Sequence, residues 1–224
     1  MESVSPRAIA RDKLLEFYQN RVGTLGRKPK DDEFFPIALD ELTQLLLPDW
    51  KIKERHDLYH ISVDTPISGK ADFDQKIIYL DTANVPRQRW TTAHELGHVF
   101  LEHGECPLRL DKDGIRSIMR PERLEPADGS VAKKEREANI FAVELLMPER
   151  TVMREFKKRF AADRLWVKSS QAQLILSTTY NIAADAAKKL ATIRYPSYSS
   201  PLVDFFGVSP STMYIRLLEL GLVY

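Results

Sequence analysis

The sequence predicts an α+β fold, a small antiparallel sheet packed on helices. Three observations carry that expectation. Apolar residues recur with helical spacing over the first 46 residues and again over 131–147. Short stretches between residues 51 and 80 are rich in strand-forming side chains. Directly after them comes a proline-free run, Arg87 to His103, with a helical apolar pattern and a His-Glu-x-x-His core.

The chain has 224 residues, enough for one ordinary domain or for a domain plus a small appendage. A formal net charge of +1 gives no case for general attraction to nucleic acid or to a membrane surface. The single cysteine, Cys106, precludes an intramolecular disulfide. Residues Met1 to Arg7 lack the apolar core of a signal peptide, and no run of about 18 apolar residues is present. A soluble, cytoplasmic protein without a membrane segment is expected.

Taken in order, Pro6 to Val22 reads as an amphipathic opening helix with Ile9, Leu14, Leu15, Phe17 and Tyr18 among charges. Gly23 to Asp32 reads as a loop. A second helix is expected from Pro36 to Leu46, with Pro48 ending it. Lys51–Arg55, Leu58–Val63 and Lys76–Leu80 read as strands, separated by turns at Thr65–Gly69 and Asp72–Gln75. In the Arg87–His103 helix, Leu96, Val99 and Phe100 form the apolar stripe and Thr91 or Thr92 offers an N-cap. The following stretch is punctuated by glycine and proline as far as Gly129. Helix resumes from Val131 to Met147, stopped by Pro148, and again from Glu149 to Phe160. One or two further helices are expected over Gln171–Ile193, then a linker over Pro196–Pro201.

The chemistry lies in His94-Glu95-Leu96-Gly97-His98. Histidines four apart leave one face of a helix and can converge on one Zn²⁺. Glu95, one residue after the first histidine, can take a proton from water at that metal. Two histidines do not suffice, so a third ligand is required. The spacing that would supply another histidine is broken, because Leu101 and Gly104 stand at its glycine and histidine positions. His103, five residues past His98, is out of phase and reads as a helix-end or supporting residue.

The Val131–Met147 helix offers Glu135, Glu137 and Glu144 instead. Glu135 shares a face with Ala138 and Ala142, whereas Glu137 aligns with Phe141 and Glu144 nearer the solvent edge. Phase therefore favours Glu135 as the third ligand. Asn139, one turn on, is placed to hydrogen-bond a histidine. Zinc is the default metal for such a set, and manganese or iron would also accept it.

Two blocks of the chain together resemble a known family. Arg89-Trp90-Thr91-Thr92-Ala93-His94-Glu95-Leu96-Gly97-His98, followed by Glu135-Arg136-Glu137-Ala138-Asn139-Ile140-Phe141-Ala142-Val143-Glu144-Leu145-Leu146-Met147-Pro148, is similar to the paired motifs of the ImmA/IrrE metallopeptidases. The resemblance covers Ile77 to Pro148 closely. It implies a zincin-like fold with metal ligands at His94, His98 and Glu135 and the general base at Glu95. It further implies a cytoplasmic zinc endopeptidase that cuts a helix-turn-helix transcriptional repressor in a stress response or in mobile-element induction. The competing reading is a metal-binding regulator that binds such a partner without cutting it.

A weaker resemblance covers Pro201 to Leu222, which reads like a helix-turn-helix. Its charged side chains are only Asp204, Arg216 and Glu219, whereas phosphate binding needs a basic face. Direct DNA binding is therefore not expected. The expected organisation is a metallopeptidase domain over 1–195 and a linker plus helical segment over 196–224, packed on it. The strand at Lys76–Leu80 is expected to pair with an extended substrate. Tyr180, Tyr195, Tyr198 and Arg89 are open candidates for stabilising an oxyanion. The sequence does not specify the oligomeric state.

Overall fold

A computed structural model describes residues 5–55, 68–82, 85–104, 129–164 and 201–223. They fall into two compact units, Met1–Leu146 and Met147–Tyr224. The strand expected over Leu58–Val63, Cys106, the helices expected over Gln171–Ile193 and the boundary expected at 195/196 lie outside the described residues.

The first unit opens with α1 (Pro6–Leu25), which buries Ala10, Leu14 and Phe17 along one stripe. Proline at its start is harmless because the first-turn N–H groups have no intrahelical partner. The helix runs through Gly23 and ends only at Gly26, in the left-handed region at φ 64°. The loop expected from Gly23 thus begins three residues later. A short turn of helix, α2 (Asp31–Phe34), leads to α3 (Leu39–Leu46), which buries Leu39, Leu42 and Thr43.

Three strands follow: β1 (Lys51–Arg55), β2 (Gly69–Asp72) and β3 (Ile77–Asp81). Their order is β1-β3-β2, with β1 parallel to β3 and β2 antiparallel to it. The sheet is therefore mixed rather than wholly antiparallel. The chain leaves β1, lays down β2 on the far side, and returns between them as β3. Ile77, Ile78 and Leu80 of the central strand are all buried, so it lacks the alternation of a half-exposed strand. Asp72 shapes the β2–β3 turn by accepting the Gln75 N–H at 2.8 Å. Because both sides of β3 are occupied, it cannot recruit a substrate strand. Among the described residues, β2 and β1 are the edges.

Helix α4 (Val85–Phe100) packs on β2 and β3, and α5 (Gly129–Leu146) packs on α4 and α1. α4 starts well before Thr91, so neither threonine caps it. Both are buried inside the helix, and Thr92 Oγ1 donates to the Gln88 carbonyl at 2.8 Å. Two glycines set the approach distances. A Cβ on Gly97 would lie 3.0 Å from the Ala138 backbone, and one on Gly69 would lie 2.4 Å from Thr91 Cγ2. Small residues at these points let α5 and β2 close onto α4.

In the second unit, α6 (Glu149–Phe160) buries Val152 and Phe156. α7 (Leu202–Phe206) and α8 (Pro210–Glu219) are joined at Gly207, φ 62°. Ser209 caps α8 by accepting the Thr212 N–H at 3.1 Å. Arg216 is buried, donating from Nε to the Met147 carbonyl at 3.1 Å and from Nη1 to Glu219 at 2.9 Å.

Candidate metal centre

α4 presents His94 and His98 from one face, and α5 brings Glu135 against them. Glu135 Oε2 lies 3.2 Å from His94 Nε2, and Oε1 lies 3.5 Å from His98 Nε2. The two Nε2 atoms are 3.0 Å apart. One ligand atom from each of the three residues falls within 4.8 Å of the others. Both histidines are fully buried, and Glu135 keeps a partial opening. The helical phase that favoured Glu135 over Glu137 agrees with this placement.

Supporting contacts fix the imidazole orientations. His94 Nδ1 lies 2.8 Å from Asn139 Oδ1. An amide oxygen only accepts, so Nδ1 carries the proton and Nε2 keeps its lone pair. His98 Nδ1 lies 3.1 Å from His103 Nδ1, and His103 Nε2 lies 3.2 Å from Glu137 Oε2. If Glu137 accepts from His103 Nε2–H, His103 Nδ1 accepts from His98 Nδ1–H, and His98 Nε2 is also a lone pair. Lys134 Nζ holds the His103 carbonyl at 2.5 Å.

These tautomers test whether the residues fit a metal. Two imidazole lone pairs and a carboxylate converge with no proton to share, and that set of acceptors is satisfied by a divalent cation. The donor set fits. Without a cation the same cluster draws a proton instead: burial opposes charge on His94, but Glu135, Glu95 and Asn139 outweigh it and raise its pKa. Burial also opposes charge on Glu135, yet the hydrogen bonds and charge of both histidines hold its carboxyl well below the usual range. Burial lowers His98, with Glu135 only partly offsetting it.

Glu95 stands beside this cluster, fully buried. Its Oε2 accepts the Ala71 N–H from edge strand β2 at 2.9 Å. Its Oε1 is buried without a hydrogen-bond partner among the described residues. Burial, reinforced by the charge of Glu135 and eased by His94 and the Ala71 N–H, pushes the carboxyl up to about 7. A carboxyl poised near neutrality can both accept and return a proton.

Two expectations need correction. Glu144 is buried rather than near the solvent edge, because α1 crosses α5 there and Arg11 Nε donates to it at 2.8 Å. Arg89 leaves α4 about 140° around the axis from His94, away from the metal cluster, so it does not serve an oxyanion there. Tyr180, Tyr195 and Tyr198 lie outside the described residues. Sequence reasoning gave His103 a helix-end or supporting role but not its partners, His98 and Glu137. The only signal for them was the histidine itself.

An α+β body with two histidines one turn apart and a glutamate from the next helix defines a zincin-like metallopeptidase. The family model described as the IrrE N-terminal-like domain matches residues 44–218, well over half of the chain, and the chain belongs to this peptidase family. Among curated proteins, none matches it.

Proposed function

We propose that this protein is a zinc-dependent endopeptidase, with His94, His98 and Glu135 as metal ligands and Glu95 as general base. The observation that carries the reading is Glu95 Oε1, buried, without a hydrogen-bond partner among the described residues, and close enough to His94 and Glu135 to feel their charge. A pure binding module has no use for that carboxylate. The chemistry a divalent cation supplies when bound is Lewis acidity, toward a peptide carbonyl and toward water. Glu95 takes the proton of the attacking water at Oε1 and hands it to the leaving amine nitrogen. The Ala71 N–H keeps Glu95 Oε2 engaged and so orients Oε1.

Edge strand β2, adjoining Glu95, suits an extended peptide that pairs through its backbone. The substrate we propose is a helix-turn-helix transcriptional repressor, cut in the cytoplasm during a stress response or mobile-element induction. The family membership and the resemblance of the two motif blocks support this. Direct DNA binding is not part of the proposal: among the three charged side chains of residues 201–224 the only cation is Arg216, and it is buried.

The test compares new protein N-termini in cells expressing the wild type and Glu95→Gln, with and without DNA damage. A new terminus within a repressor, present only with the wild type, is the expected result. Full biological activity of Glu95→Gln would instead establish a metal-binding regulator that acts without cutting.

A further inference from the structure

The wall formed by α3, β1 and the first half of α4 lines an open cavity of about 820 Å³. Asp40, Trp50, Lys51, Lys53, Arg89 and Thr92 are among its lining residues. Arg89 carries two buried nitrogens, Nε and Nη2, with no hydrogen-bond partner among the described residues. Those two are the side-on pair of the guanidinium, whose N–H bonds run parallel and match the two oxygens of a carboxylate. Leaving both unmade in a buried place is costly, so the fork is built for a partner that the described residues do not supply. Asp40 is near enough to act on Arg89 by charge, but no hydrogen bond joins it to the fork.

We propose that this cavity is a carboxylate-binding site in which the Arg89 Nε/Nη2 fork takes both oxygens of one carboxylate. The carboxylate comes from a small organic acid or from an acidic side chain of a peptide. The lining carries Lys51, Lys53 and Arg89 against Asp40 and Glu54, an excess of one positive charge that a single carboxylate balances. Burial lowers the Arg89 pKa against the opposing pull of Asp40. The volume suits a small ligand.

Arg89 and Thr92 leave α4 some 120–180° around its axis from His94 and His98. The site is thus distinct from the metal centre and independent of the proposed peptidase activity.

The experiment is thermal melting of the full chain at fixed ionic strength. The probes are sodium propionate, a capped Ala-Asp-Ala tripeptide and inorganic phosphate, with sodium chloride as reference. A millimolar site raises the wild-type midpoint by about 4 °C at about 20 mM of a carboxylate probe. The probe that gives the larger shift identifies the source. Arg89→Lys, which keeps the charge and loses the fork, shows less than half of the shift, and Arg89→Met shows none. Arg89→Met without ligand melts no lower than wild type, because it removes orphaned donors. The proposal is overturned if neither carboxylate shifts the wild type, if phosphate shifts it equally, or if Arg89→Met keeps the shift. It is also overturned if Arg89→Met alone melts far below wild type, which would mean the protein already satisfies the guanidinium.

Discussion

His103 turns back onto His98, Nδ1 to Nδ1 at 3.1 Å, although five residues separate them on what reads as one helix. The helix ends at Phe100, and a Schellman turn does the rest. The His103 N–H donates to the His98 carbonyl at 3.0 Å and the Glu102 N–H to the Val99 carbonyl at 3.2 Å, with Glu102 at φ 54°. Terminating the helix places His103 between His98 and Glu137, where it fixes the His98 ring.

His103→Ala should therefore weaken metal binding by about tenfold to a hundredfold, the usual effect of losing a partner that orients a ligand. Competition against a chromophoric chelator measures it. Glu137→Gln still accepts a hydrogen bond and should lose less. Equal metal affinity in His103→Ala and wild type would remove His103 from the site.

Metal content assigns the third ligand. Glu135→Ala should purify with little metal, whereas Glu137→Ala should retain it, because only Glu135 touches both Nε2 atoms. Elemental analysis of the two variants decides, and loss only in Glu137→Ala would reverse the assignment.

The local part of the site was legible in the sequence. Spacings of four and of three to seven residues fix which side chains share a helix face, so His94, His98, Glu135 and Asn139 could be placed before any tertiary structure. What depended on a break in periodicity was not. His103 needed the left-handed turn at Glu102, a non-glycine residue that sends no signal. Glu144 read as peripheral because only the crossing of α1, with Arg11, buries it. The sheet was misread as antiparallel because strand order is set by non-local pairing, and β3 inserts between two strands that precede it.

Glycine positions offer a paired test of packing. Gly97→Ala places a methyl 3.0 Å from the Ala138 backbone and should destabilise the protein by about 1–3 kcal/mol. Gly23→Ala meets nothing within 4 Å inside α1, and should stabilise by about 0.5–1 kcal/mol through helix propensity. Denaturant melts of both variants check the opposite signs. A neutral Gly97→Ala would show that α4 and α5 separate freely.

The buried Glu95 carboxyl makes the metal-free protein sensitive to pH in a particular direction. Its pKa rises from an ordinary 4.5 to about 7 on folding, chiefly by burial. Between those values the folded state binds more protons than the unfolded state, so stability falls as pH rises. The contribution is fully present below pH 4.5 and lost once pH passes about 7. A shift of this size amounts to about 3 kcal/mol. Glu95→Gln escapes that loss, because its amide does not ionise and its oxygen can still accept the Ala71 N–H. Its NH₂ replaces the unpartnered Oε1 and leaves a buried donor unmade, at a cost of about 1 kcal/mol. Metal-free Glu95→Gln should therefore be more stable than metal-free wild type by about 2 kcal/mol at pH 8, and no more stable at pH 5. Urea melts at the two pH values give the comparison. A stability difference that stays constant from pH 5 to pH 8 would mean that Glu95 is already ionised throughout, and the poised proton acceptor assigned to it would have to be sought elsewhere.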